Sequence, residues 1–166
     1  MKKFLVPVLA ALLVLTGTAM AADQPAFDLS KMTLVVPAEE GLSGEDIDES
    51  IKSLAASEGI FYVFYAPLYK QIESVTGKPF HHLSIHMVCD AATAGKMVDY
   101  NPMLATMMPC RIAVVADKKT GKISLYTTNP DIFTMDPNLP EELRPVAEKV
   151  AGQLKRIIHG AAAGEF

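Results

Sequence analysis

Residues 82–133 read HLSIHMVCDAATAGKMVDYNPMLATMMPCRIAVVADKKTGKISLYTTNPDIF, and this stretch decides the fold. Strand-forming runs alternate in it with short helical and turn segments. A strand is predicted over Phe80–Val88. Asp90 stands as the N-cap of a short helix that Asn101-Pro102 ends. Arg111–Ala116 and Lys122–Thr127 are two strands of a hairpin, joined by the turn Asp117-Lys-Lys-Thr-Gly121. The stretch also concentrates chemistry. It holds both cysteines, five of the nine methionines and, counting His81 just before it, three of the four histidines.

Toward the N-terminus, Ile60–Tyr65 is apolar on both faces and predicts a central strand. Pro67 breaks it, and Leu68, Ile72 and Val75 then repeat at helical spacing up to Gly77. Ser43-Gly-Glu-Asp46 has the form of a capping box. Ile47, Ile51, Leu54 and Ala55 follow at helical spacing, so a helix is predicted over about 44–57, stopped by Gly59. Met32–Val36, closed by Pro37, predicts the first strand. Toward the C-terminus, 130–140 is loop. Glu141 and Glu142 then open a long helix whose apolar face is Leu143, Val146, Val150, Leu154, Ile157 and Ile158, ended by Gly160. The expected architecture is a single α+β domain over residues 32–160. It has a twisted antiparallel sheet of about four to five strands, covered by two or three helices including the long C-terminal one. Residues 161–166 are expected to be a disordered tail.

Lys2 and Lys3, the apolar run Phe4–Leu15 and the small residues Ala19-Met20-Ala21 have the form of a secretory signal peptide over residues 1–21. The run is too short for a comfortable membrane span. Residues 22–31 are polar, without a period, and expected to be a mobile leader. The mature protein is expected to be exported, periplasmic or secreted from a bacterium, with no membrane contact after cleavage. Taking Lys2 and Lys3 from the 15 basic residues leaves 13 against 19 acidic, a formal charge of −6. That balance argues against nucleic acid and anionic lipid as partners.

Several pieces carry a resemblance: Cys89-Asp-Ala-Ala-Thr-Ala-Gly95, Asn101-Pro102, Met108-Pro-Cys110-Arg-Ile-Ala-Val-Val115, Gly121-Lys-Ile-Ser124 and Asn129-Pro130. With the element order around them, over roughly residues 33–158, they are similar to the family called domain of unknown function 302. Two departures stand out. Cys89-Asp90-Ala91 replaces the family's Gly-Asn-Pro or Cys-Asn-Pro, and the segment 66–79 is longer than usual. The resemblance implies a small α+β fold with a helix-covered antiparallel sheet, commonly paired as a homodimer. It implies no established reaction.

The chemistry has to come from the residues. Cys89 ends one predicted strand and Cys110 begins another. Neighbouring strands would bring their Cα atoms within the roughly 7 Å that a disulfide needs, and the bridge would stabilise the fold by about 3 kcal/mol. Two reduced buried thiols, or a thiolate ligand, are the alternatives. His82, Ser84 and His86 face one way along their strand, with the two histidines about 13 Å apart, too far to chelate one ion unaided. Met97, Met103, Met107 and Met108 read as adaptable core or as soft ligands.

The leading expectation is a small ligand-binding protein, not an enzyme, holding non-covalent haem, with electron transfer to a redox partner protein as its use. His82 or His86 is the axial donor in that expectation. Met107, Met108 or a second histidine stands opposite, and Tyr65 is part of the apolar wall. There is no Cys-x-x-Cys-His, which rules out covalent c-type attachment. The alternatives are a copper(I) carrier using Met and Cys ligands, and a cofactor-free interaction module with a structural disulfide. No Gly-x-Ser-x-Gly, His-Glu-x-x-His or phosphate-binding glycine loop is present.

Overall fold

The computed structural model describes residues 28–166. The signal-peptide reading and residues 22–27 of the leader lie outside the described residues. Of the remaining leader, Leu29–Met32 forms a 3-10 turn capped by Asp28.

Five strands make one sheet: β1 Thr33–Pro37, β2 Phe61–Ala66, β3 Leu83–Cys89, β4 Cys110–Ala116 and β5 Ile123–Thr128. Their order is β1-β5-β4-β3-β2, and every neighbouring pair is antiparallel. The helices are α1 Gly44–Ser57, α2 Leu68–Thr76, α3 Ala91–Tyr100 and α4 Arg144–Ala162. The α+β class is as expected from the sequence.

α1 starts where the sequence places it. The Ser43 hydroxyl accepts from the Asp46 amide at 3.1 Å, and the Asp46 carboxylate accepts in return from the Ser43 amide at 3.1 Å. This reciprocal cap satisfies two amides that have no partner inside the helix. Ile47, Ile51 and Ala55 then pack with Val150, Leu154, Ile157, Ile158 and Ala161 of α4. Both helices cover Val36, Val88, Ile112, Val114 and Leu125 on one face of the sheet. Each fully buried Ile or Leu there contributes about 1.5–3 kcal/mol.

Three expectations are corrected. Ile60–Tyr65, read as a central strand, forms most of the edge strand β2, with Phe61, Val63 and Phe64 exposed. An apolar run specifies a strand but not its neighbours. Gly160 does not end the last helix, which continues to Ala162. A Cβ on Gly160 would lie 2.9 Å from the Leu54 side chain, so this glycine serves the close crossing of α1 and α4. The tail 161–166 is not a loose end either. The Glu165 amide bonds the Gly160 carbonyl at 2.9 Å, and the Ser50 hydroxyl donates to the Glu165 carbonyl.

One irregularity positions the site. Tyr62 pairs with Val88 but Phe64 pairs with Met87, so Val63 is an extra residue in β2. A bulge of this kind resets the alternation of side chains. Tyr65 is opposite His86, and Tyr62 is opposite Val88, two residues further along β3. Residues two apart on a strand share a face, so Tyr62 and Tyr65 both face α1 although three residues separate them.

Candidate functional site

The site is built on a carboxylate that α1 delivers to the sheet. Asp48, Ile51 and Ala55 follow at i, i+3 and i+7 on the buried side of the helix, so the acid is carried inward with the core. It is 7% exposed. Its Oδ1 accepts from the Ser84 hydroxyl at 2.5 Å and from His86 Nε2 at 2.8 Å, and its Oδ2 accepts from the Tyr65 hydroxyl at 2.6 Å. His82 Nε2 stands 3.4 Å from the same Oδ2. Burial alone would push the Asp48 carboxyl up. The hydrogen bonds from His82, His86, Ser84 and Tyr65 outweigh it and hold the group well below the usual carboxylate range.

The network continues outward. His86 is fully buried, and its Nδ1 is 2.6 Å from the Tyr62 hydroxyl. With Asp48 ionised, His86 Nε2 carries the hydrogen given to Oδ1. In the neutral tautomer Nδ1 is then the acceptor, and Tyr62 donates to it. Burial, then the charges of Asp48 and Glu49, push the Tyr62 phenol up to about 12. Burial, followed by its bond to Asp48, also raises Tyr65. Both phenols therefore keep their hydrogens at neutral pH and point them inward. Beyond them opens a cleft of about 190 Å³ lined by Glu45, Asp48, Glu49, Lys52, Tyr62 and Tyr65. Tyr69 of α2 stands beside Glu45 and His82. Its hydroxyl donates to Glu45 at 3.1 Å, and its ring lies 4.9 Å from that of His82.

Of the residues singled out in the sequence, His82, His86 and Tyr65 meet here. Strand arithmetic sets the two histidines apart, and His82 precedes the first residue of β3. Their Nε2 atoms nevertheless converge on one carboxylate, each 3.3 Å from the Ser84 hydroxyl between them. The sequence reading missed Asp48, whose only signal was its place on the apolar face of α1. It read Tyr62 only as part of the apolar run Ile60–Tyr65. Ser84 is fully buried, which denies it a nucleophile's access to substrate.

Haem does not fit these residues. Both His86 nitrogens are committed to protein partners. The His82 ring is packed so closely on Gly44 that a Cβ there would come within 2.3 Å of it. The rings of Tyr62 and Tyr65 lie against His86 and that of Tyr69 against His82, while Phe61 and Phe64 of the same apolar run are exposed. Among the described residues, no group of three or more His, Cys, Asp and Glu is arranged to hold a metal ion.

Gly44→Ala is accordingly expected to displace the His82 ring and destabilise the protein by about 1–3 kcal/mol, the usual result of overpacking. Urea unfolding checks it, and Gly44→Ala combined with His82→Ala should recover part of the loss.

The sulfur-bearing residues gather elsewhere. Cys89 and Cys110 are free thiols, not the expected disulfide. β4 places Cys110 opposite Val88, leaving Cys89 one residue out of register and off the directly facing position. Burial, with Cys89 as the secondary cause, pushes the Cys110 thiol up to about 11. Met108 lines a small cavity with both thiols. Met107 faces a separate cleft beside Arg111 and Thr127, away from both histidines.

Compared with known proteins, residues 35–161 match the family model described as Domain of unknown function DUF302, a span that includes the carboxylate network and the thiol cavity. The fold is similar to a crystal structure of an uncharacterized conserved protein DUF302 from Bacillus stearothermophilus. The TM-score is 0.61 at 16% identity, covering 76% of this chain and 95% of that one. At that identity the likeness speaks for the fold alone. No curated protein matches the chain.

Proposed function

The chain belongs to the DUF302 family, and from that premise we propose that it is a binding protein for a small organic cation, held in the cleft between α1 and β2. The family description assigns no ligand, so the ligand is read from the polarity of the cleft. The observation that carries the reading is the direction of two hydrogen bonds. Tyr65 donates to Asp48, and Tyr62 donates to the neutral tautomer of His86 that gives its Nε2 hydrogen to Asp48, so each phenol oxygen keeps only lone pairs for the cleft that its residue lines. Glu45 and Glu49 add acceptors at the rim, and Lys52, 3.8 Å from Glu49, is the single donor there.

A ligand that satisfies such a rim brings hydrogens and positive charge: an alkylammonium or guanidinium group, its charge also favoured by the tyrosine ring faces. Asp48 adds negative potential from behind while its own oxygens stay occupied. The His86–Asp48 pair holds Tyr62 in its acceptor orientation, much as an outer partner fixes a metal ligand. Export through residues 1–21 belongs to the same reading and places the binding outside the cytoplasm.

Calorimetric and NMR titrations with guanidinium and butylammonium, beside butanol and butyrate, test it. Saturable one-to-one binding of the cations is expected, with shifts confined to Tyr62, Tyr65 and His86 ring signals. Tyr62→Phe should weaken binding about tenfold, the loss of one hydrogen bond. Equal binding of butyrate, or no saturable shift with either cation, would refute the proposal.

A further inference from the structure

At the carboxy-terminal end of β3, away from the carboxylate network, a cavity of about 30 Å³ is bounded by Cys89, Met97, Met108 and Cys110, with Phe133 and Val150 among its other walls. The four sulfur residues come from four places in the chain. Cys89 closes β3, Met97 lies in α3, Met108 precedes β4 and Cys110 opens it. Met97 is 2% exposed. The volume is atomic in scale, too small for an organic ligand.

We propose that this cavity is a copper(I) site, with the two cysteine sulfurs and the two thioethers as its ligands. This inference is independent of the cation cleft.

The donor set selects the ion. Thiolate and thioether are soft ligands suited to Cu(I), whereas Mg²⁺, Ca²⁺ and Mn²⁺ prefer carboxylate, carbonyl and water oxygens. Zinc takes Cys, His, Asp or Glu, and methionine is not among its usual protein ligands. The carboxylate at the rim, Asp90, is already engaged. It accepts from the Thr93 amide at 3.0 Å and lies 3.4 Å from Lys149 Nζ. No imidazole lines the space. The register leaves the two cysteines off a directly opposed position, and both are free thiols that line the cavity. An ion can join two sulfurs that are not directly opposed, since its coordination spans a gap that a single S–S bond does not.

Binding is a proton-for-metal exchange. Two Cu–S bonds form to the cysteines as their S–H bonds break, and both protons leave to solvent. The thioethers bind through lone pairs and lose nothing. Copper remains in the +1 state and no electron moves, so no oxidant or reductant takes part.

The test is an anaerobic titration of the reduced chain with Cu(I), supplied as its acetonitrile complex and competed against bicinchoninate. One copper per chain is expected to leave the coloured chelator, with X-ray absorption showing sulfur neighbours alone. Met97→Leu and Met108→Leu are volume-conserving changes that a core tolerates, so these variants fold. Each should weaken copper binding by about tenfold or more, the loss seen when even an outer partner of a metal ligand is removed. Cys89→Ser combined with Cys110→Ser should abolish it. Three results would each overturn the proposal: no copper taken from the chelator, copper retained by the double serine variant, or unchanged affinity in both leucine variants.

Discussion

Asp48→Ala is expected to lower folding stability by about 3–5 kcal/mol, the loss typical when one partner of a buried charged network is removed. The reason lies in what the carboxylate leaves behind. Tyr65, Ser84 and His86 all donate to it within 2.8 Å. Without it, three hydrogens in a buried setting have no acceptor, and each such group costs about 1–3 kcal/mol. Asp48→Asn keeps one acceptor oxygen and should cost less, but it changes the response to acid.

The sign follows from Asp48 being held below its ordinary range in the folded state. Its contribution is fully present above the unfolded carboxyl value of about 3.9 and is lost as pH falls from there toward the folded value. Urea midpoints from pH 6 down to pH 2 should therefore fall more steeply below about pH 4 in the wild type than in Asp48→Asn. An alanine variant within about 1 kcal/mol of wild type would mean that water takes the carboxylate's place, and the network would lose its structural standing.

Ile112→Ala is expected to cost about 2–5 kcal/mol, with its effect reaching the site. Ile112 is fully buried on β4, directly opposite His86 on one side and Thr127 on the other. Directly opposed residues share a face, so its side chain is the wall beside the imidazole. Truncation removes apolar area and leaves a void next to a polar group, where water can enter and compete for Asp48. Guanidinium unfolding gives the magnitude, and the His86 ring signals should broaden or shift. Ile112→Val, which removes one methylene, should cost about 0.5–1.5 kcal/mol and leave those signals in place. A full-size loss of stability with an undisturbed His86 would separate the core from the site.

What the sequence made legible was local. The Ser43 cap, the apolar face of α1 and the hairpin around Gly121 each rest on signals within a few residues and are found where expected, and the long last helix is present with its start shifted to Arg144 and its end to Ala162. What it concealed was long-range. His82 and His86 turn to the same side although β3 begins only at Leu83, and their common partner comes from α1, 38 residues before His86. Cys89 and Cys110 were correctly assigned to neighbouring strands. Their pairing failed by a single residue of register, a quantity that strand patterns do not fix until both partners are known. Asp48 on the buried face of α1 was a departure from helical patterning, and such departures mark functional places more often than mistakes.

The extra residue in β2 adds a constraint of another kind. Tyr62 and Tyr65 share a face because Val63 is inserted between the paired positions, and that depends on the length of the strand more than on the identity of residue 63. A substitution survey at position 63, where the side chain is exposed, would report a tolerant surface residue. Pairing the same residues as a regular strand, with no bulge, would leave every tyrosine in the sequence and still break the cleft, by turning one phenol out toward the opposite side of the sheet. The site is thus partly written in spacing. Relatives that keep it are better sought by the interval between their tyrosines than by the letters in between.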